Sequence, residues 1–144
     1  MQTLKKLPRC AAIHDLSGYG KCALTVAIPV LSACGVEVCP LPTALLSTNT
    51  NFPGFTLMDF SPEIPAYIDH WEAVSLKLDA LYSGFLGSEK QIALIADLAR
   101  RFSPEYVVID PVMADNGVLY KTYTAAMCEG MKSLMAVADY VTPN

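Results

Sequence analysis

Asp110 and Asp115 are the residues best suited to chemistry in this chain. They lie in the stretch Asp110-Pro111-Val112-Met113-Ala114-Asp115-Asn116-Gly117-Val118-Leu119-Tyr120, directly after the apolar run Tyr106-Val107-Val108-Ile109. A run of β-branched and aromatic residues without polar alternation suits a parallel strand covered on both faces, and Pro111 ends its ladder because it has no N–H to donate. The two carboxylates therefore sit at and just beyond the carboxyl end of a strand, the edge at which open α/β sheets bind ligands. With no Lys or Arg between them, the pair suits a hard cation such as Mg²⁺, and Asn116-Gly117 supplies a tight turn that can approach a ligand. An acidic turn after a strand, with no ligand, is the competing reading of the same residues.

A second candidate is the glycine-rich turn Asp15-Leu16-Ser17-Gly18-Tyr19-Gly20, which follows the apolar run Cys10-Ala11-Ala12-Ile13-His14. From Lys21 onward, Ala23, Ala27, Val30, Leu31 and Cys34 recur at helical spacing and Gly35 supplies a stop, so the segment reads strand, turn, helix. Pro29 inside that helix predicts a kink. Gly18-x-Gly20-x-x-Ala23 also fits a dinucleotide fingerprint, yet its acidic ribose partner should close the second strand, Val36 to Leu41, and Glu37 lies at the beginning of that strand. A phosphate loop of the Walker type fails as well, because Asp15 stands where glycine is needed and Cys22 replaces the metal-binding hydroxyl.

The remaining elements alternate. Leu45 to Gly54 is a hydroxyl-rich loop, open to reading as a functional loop or as a solvated connection, and Phe55 to Asp59 alternates like an edge strand or flap. Ser61 reads as the N-cap of a helix running to about Leu76. Ala80 to Ser83 is a core strand, followed by Gly84-Phe85-Leu86-Gly87 and by a helix capped by Ser88 with Ile92, Ile95, Leu98, Ala99 and Phe102 on one face. Phe85 suits stacking on an aromatic ligand or plain core packing. Thr124 caps a helix whose Met127, Met131, Leu134 and Met135 read as packing, and Ala138 to Thr142 is a final strand.

Composition bounds the function. The 144 residues are 53% hydrophobic with mean hydropathy +0.35, yet no apolar segment approaches the roughly 20 residues that span a bilayer. The start Met1 to Pro8 has no apolar signal core, which makes the cytoplasm the expected compartment. Five cysteines without C-x-x-C spacing, and only two histidines, suggest reduced thiols in small apolar niches and no zinc cluster. A net charge of −4 argues against a nucleic-acid surface and toward a small ligand. The expected fold is α/β: a doubly wound, mostly parallel sheet with helices on both faces, incomplete at the C-terminus because the last strand has no following helix.

Five segments in order carry a resemblance: Ile13 to Gly20, Leu46 to Thr50, Tyr82 to Gly87, Asp110 to Gly117, and Ala138-Asp139-Tyr140-Val141-Thr142-Pro143-Asn144. Together they resemble the N-terminal half of the pyridoxal/pyridoxamine (vitamin B6) kinase branch of the ribokinase superfamily. The resemblance implies a ribokinase-like domain over 1–144 and phosphorylation of the 5′-hydroxymethyl group of a B6 vitamer by Mg-ATP, in salvage to pyridoxal 5′-phosphate. It implies ring-pocket roles for Asp15, Thr50 and Phe85, ATP contacts for Asp110, Tyr120 and Asn144, and metal contacts for Asp110, Asp115 and Thr142, the last with K⁺ or Na⁺. It further implies a homodimer, and a general base and anion hole beyond Asn144, so that these residues alone would be inactive and would leave apolar faces uncovered. Two positions depart from the family: Ala114 and Asn51 stand where glycine is usual, and a left-handed backbone would be strained at Ala114. A hydroxymethylpyrimidine kinase-like enzyme and a non-catalytic B6-binding or assembly module are the alternatives.

Overall fold

The computed structural model describes residues 6–115, 117–120 and 123–143, with Asp115 described by its backbone only. Strand β1 (Arg9–Ser17) leads to helix α1 (Leu24–Ala33), β2 (Glu37–Leu46), β3 (Leu57–Asp59) and α2 (Ile64–Ala73). Then come β4 (Ala80–Ser83), α3 (Glu89–Phe102), β5 (Tyr106–Ile109), the short β6 (Ala114–Asp115) and β7 (Val118–Leu119), α4 (Ala125–Met135) and β8 (Tyr140–Val141). Six strands form one sheet in the order β3-β2-β1-β4-β5-β8, parallel except for β3, while β6 and β7 pair as a separate hairpin. The doubly wound, mostly parallel sheet is the one the sequence predicts.

Alternation along the strands divides the layers. Ala11, Ile13, Leu41, Leu81, Val107 and Ile109 join one core with Ile64 and Ile68 of α2, Ile92, Ile95 and Leu98 of α3, and Met127, Met131 and Leu134 of α4. Cys10, Ala12 and His14 point the other way, toward the face where α1 packs on β1 and β2. That face is covered less completely: a groove of about 470 Å³ opens beside Leu31 of α1, over Cys10, Tyr82 and Val108. Tyr106 and Tyr140 remain exposed at its border, with ring centroids 6.3 Å apart.

Several boundaries move from the sequence reading for local reasons. β2 continues to Leu46 despite Pro40 and Pro42. Glu37 N–H donates to the Pro8 carbonyl on the β1 side, so alternation turns both proline nitrogens outward, where β3 pairs only Ala44 to Leu46 and no acceptor goes unmet. Ser61 is not a helix cap: α2 begins at Ile64 after Glu63, which makes no side-chain capping bond, and Ser61 is buried in contacts with Asp59 and Gln91. Helix α1 runs through Pro29, and its N-cap Ala23 has φ 46°. Ser88 and Thr124 cap α3 and α4 as predicted, accepting from Gln91 N–H and Met127 N–H. Ala114 lies in β6 opposite Leu119 and is not among the positive-φ residues, so the strain its side chain would impose does not arise, while Gly117 takes the left-handed turn at φ 76°. All five cysteines are free. Cys10 is packed inside, its thiol pKa pushed up to about 11 by desolvation, whereas Cys34 is exposed and does not serve as core.

The methionine stripe of α4 is core: Met127 and Met131 are buried against the sheet-side cluster. Met131→Ala should therefore lower unfolding free energy by roughly 2–5 kcal/mol in denaturant titration, as expected for truncating a fully buried side chain. An unchanged midpoint would place Met131 outside the core.

Candidate functional site

The candidate residues converge on the carboxyl edge of the sheet. Asp15 lies two residues before the end of β1, the 47–56 loop follows β2, Phe85 follows β4, Asp110 follows β5 and Thr142 follows β8. Asp15 and Phe85 flank the point at which strand order reverses, because β1 is joined through α1 to β2 on one side while β4 lies on the other.

At Asp15 the β1–β2 register slips between His14 and Leu16. Two β2 residues, Thr43 and Ala44, face Asp15 across this slip, so the extra residue is on β2 and the irregularity falls beside Asp15. The Asp15 carboxyl is half-buried, and desolvation raises its pKa, against which the Ser17 hydroxyl donates to Oδ2 at 3.5 Å. The Cys22 thiol lies 3.4 Å from that hydroxyl.

The glycine turn that follows is a packing device. Gly18 N–H donates to the Leu46 carbonyl at 2.8 Å and Asn49 N–H to the Tyr19 carbonyl at 2.8 Å. A Cβ on Gly20, whose φ is 82°, would lie 2.4 Å from Asn49 Nδ2. The turn is thus closed onto the loop after β2, which removes the dinucleotide reading of Gly18 and Gly20. In that loop Thr50 is exposed. Asn49 Oδ1 accepts from Asn51 N–H at 3.1 Å, Tyr19 and Phe52 pack at 5.2 Å, and Ser47 and Thr56 pair across its base. Asn51 is absent from the positive-φ positions, so its replacement of glycine carries no backbone cost.

Phe85 is half-buried and meets Tyr120 edge-to-face, with centroids 5.9 Å apart. Tyr120 N–H donates to the Met113 carbonyl at the base of the β6–β7 hairpin, so the hairpin brings its tyrosine back to the β4–α3 turn. Asp110 N–H donates to the Ser83 carbonyl, and the half-buried Asp110 carboxyl has its pKa raised by desolvation. Among the described residues Asp110 makes no salt bridge. A partly desolvated carboxylate without a cationic side chain fits a divalent metal by charge and by donor type. No group of three or more His, Cys, Asp or Glu gathers around one point among the described residues. Thr142 N–H donates to the Ile109 carbonyl at 3.1 Å, which fixes it beside the end of β5. The Asp115 side chain, Asn116 and Asn144 lie outside the described residues.

Two residues here escaped the sequence reading. His14 is 5% exposed, packs edge-on to Tyr82 at 4.4 Å, and lies so close beneath Gly84 that a Cβ there would be 2.2 Å from its Nδ1. An apolar strand ending in histidine gives no sign of that contact. Gln91, 2% exposed, accepts from Gly87 N–H at 2.7 Å. Its signal was available as Ser88-x-x-Gln91, the spacing of a capping box.

The fold is shared with known proteins. A pyridoxal kinase of Pseudomonas syringae pv. tomato is 30% identical over 98% of this chain and 51% of its own length. The Lactobacillus plantarum pyridoxal kinase structure superposes with a TM-score of 0.92 at 33% identity, over 96% of this chain and 50% of that one. The chain is similar to the N-terminal half of these pyridoxal kinases. A Bacteroides thetaiotaomicron structure described with pyridoxal, and designated a phosphomethylpyrimidine kinase, reaches 45% identity and a TM-score of 0.92 over 96% of this chain and 49% of that one. The chain spans about half the length of the curated relatives it matches. No family model matches it.

His14 should also make the fold sensitive to acid. Burial lowers its pKa from the ordinary 6.5 to about 4, so the folded protein takes up this proton only at lower pH than the unfolded chain. A depressed histidine contributes stability fully above pH 6.5, and loses it as pH falls toward 4. The loss should total on the order of 2–3 kcal/mol, read from denaturation midpoints between pH 7 and 4, and His14→Gln should flatten it. An equally steep profile in the variant would assign the acid sensitivity elsewhere.

Proposed function

We propose that residues 1–144 supply the vitamer pocket and the metal-phosphate carboxylates of an ATP-dependent kinase acting on the 5′-hydroxymethyl group of pyridoxal, pyridoxamine or pyridoxine. The observation that carries this reading is the convergence of Asp15, the Thr50 loop, Phe85 and Asp110 on one sheet edge. It is supported by 45% identity to the structure described with pyridoxal.

In this reading Asp15 and Thr50 hydrogen-bond the polar edge of the pyridine ring, and Phe85, braced by Tyr120, covers its face. Desolvation around Asp15 strengthens a hydrogen bond made there relative to water. Asp110, Asp115 and Thr142 would hold Mg²⁺ and a monovalent cation, K⁺ or Na⁺, with Tyr120 and Asn144 at the phosphates. Bound there, Mg²⁺ supplies charge neutralisation for the transferring phosphoryl group. The chain's own share is positioning: it fixes the acceptor ring beside the phosphate-side residues at the point where strand order reverses. The group that takes the hydroxymethyl proton is assigned to the part of the relatives' length that this chain does not span, so binding is the direct readout for these residues. The reading also carries a cytoplasmic location, where ATP is at hand, and a homodimer. Among the described residues no helix is long and apolar enough to cross a membrane.

The designation of the Bacteroides structure favours one second reading, a hydroxymethylpyrimidine kinase-like enzyme. Calorimetric titration separates the two. Pyridoxal should bind more tightly than hydroxymethylpyrimidine, and the reverse order would favour the second reading. Asp15→Ala and Thr50→Val should each weaken pyridoxal binding by about 0.5–3 kcal/mol, a roughly 2- to 150-fold rise in Kd. Unchanged affinity in both would remove them from the pocket.

Asp115→Asn should leave pyridoxal affinity unchanged and weaken Mg²⁺-dependent nucleotide binding on the order of tenfold or more, the scale seen when a metal site loses a supporting group. A magnesium titration that superimposes on the parent's would make Asp115 a turn residue only.

A further inference from the structure

Gln91 uses its entire side-chain amide although Ser88 already caps the helix it belongs to. Its Oε1 accepts from Gly87 N–H at 2.7 Å, and the two N–H groups of its Nε2 are shared among the Thr43 carbonyl at 2.9 Å, Ser61 Oγ at 2.8 Å and Asp59 Oδ1 at 3.0 Å. The Ser61 hydroxyl donates to the same Asp59 oxygen at 2.5 Å, which leaves its lone pairs to receive Gln91. One side chain in the first turn of α3 thereby ties β2, the β3–α2 junction and the β4–α3 turn to one another.

Each tied segment leads into the candidate pocket. β2 runs from Thr43 into the loop that carries Thr50, β3 returns from that loop through Asp59, and Phe85 stands in the turn that Gly87 closes. Thr43 Oγ1 donates to the Phe85 carbonyl at 3.4 Å, a second tie between the same two segments. A plain core position would be satisfied by leucine. A buried amide with both of its ends engaged specifies the relative placement of its partners instead, since any shift leaves a desolvated polar group unpaired.

We infer that Gln91 is a positioning residue for the vitamer pocket, setting the separation between the Phe85 turn and the Thr50 loop through its ties to Gly87, Thr43, Asp59 and Ser61. The inference rests on the B6 reading above and adds to it a residue that touches neither substrate.

Gln91→Glu tests it with little change of shape. The substituted carboxyl still accepts from Gly87 N–H, loses both N–H donors, and sets a negative charge against Asp59 on β3 and the Thr43 carbonyl on β2. Among the described residues, Lys90 on α3 is the one cation whose charge acts on Asp59. At pH 8 the Kd for pyridoxal should rise at least about tenfold over the parent's. The ratio of the two should shrink toward pH 5.5, where protonation of the introduced carboxyl restores one donor and removes the repulsion. Gln91→Leu should show a loss of similar size that does not recover with pH, together with faster hydrogen exchange at the Gly87 amide. Ser61→Ala is the milder variant that decides the matter if the Gln91 variants do not fold, with an expected rise of about threefold or more. Pyridoxal affinity within twofold of the parent's at both pH values, or for Ser61→Ala where it decides, would overturn the inference while leaving the B6 reading intact. A parent protein that does not bind pyridoxal would overturn the B6 reading, and the inference with it.

Discussion

From Ala11 to Ile13 strand β1 has no room on any side, and the rest of the site follows from that constraint. Ala11, Ala12 and Ile13 are fully buried, with β2 and β4 hydrogen-bonded on either edge and helices packed over both faces. Asp15 stands opposite the irregularity in β2, close to the carboxyl end where strand order reverses. His14, just before it, is pressed between Tyr82 and Gly84, and only glycine allows the β4–α3 turn to lie that close. The turn bearing Phe85 therefore takes its position from a histidine in the neighbouring strand.

The two edges of the sheet treat their carboxylates differently. At the amino edge, Asp79 Oδ2 accepts from Arg9 N–H at 2.7 Å and Asp139 Oδ2 from Val107 N–H at 2.8 Å, so each aspartate before a strand ties off the first residues of the strand beside it. At the carboxyl edge, Asp110 is desolvated without a salt bridge among the described residues, and Asp15 has only its own backbone N–H and a long hydrogen bond from Ser17 among the described residues. Residues of the same type thus serve structure at one edge and are left available at the other. Stability alone would favour pairing them, and carboxylates kept partly dry and uncompensated are a feature of ligand sites.

Polar order behind the site has a matching logic. The Gly18 and Gly20 turn and the 47–56 loop are joined backbone to backbone, and Gln91 joins the base of that loop to the Phe85 turn. Loops at a ligand edge usually have few internal contacts of their own. Here they are held from behind by buried groups, which leaves Thr50 exposed and the Asp15 carboxyl half-buried on a fixed frame.

The sequence by itself determined the strand and helix alternation, the Ser88 and Thr124 caps, the packing role of Met127 and Met131, and the edge of the sheet to which Asp15, Phe85 and Asp110 belong. These follow from local periodicity, from side chains that satisfy backbone groups a few residues away, and from motif residues close together in the chain. Tertiary structure alone decided that β2 extends through Pro40 and Pro42, because only its neighbours show which way those nitrogens point. It decided that Ser61 belongs to Gln91, 30 residues away, rather than to the helix it precedes. It decided that Gly20 packs on Asn49 instead of cradling a phosphate, and that Gly84 is required by His14. In each case a polar or steric requirement is met by a partner distant in sequence, and local pattern carries no information about which distant group the fold brings near.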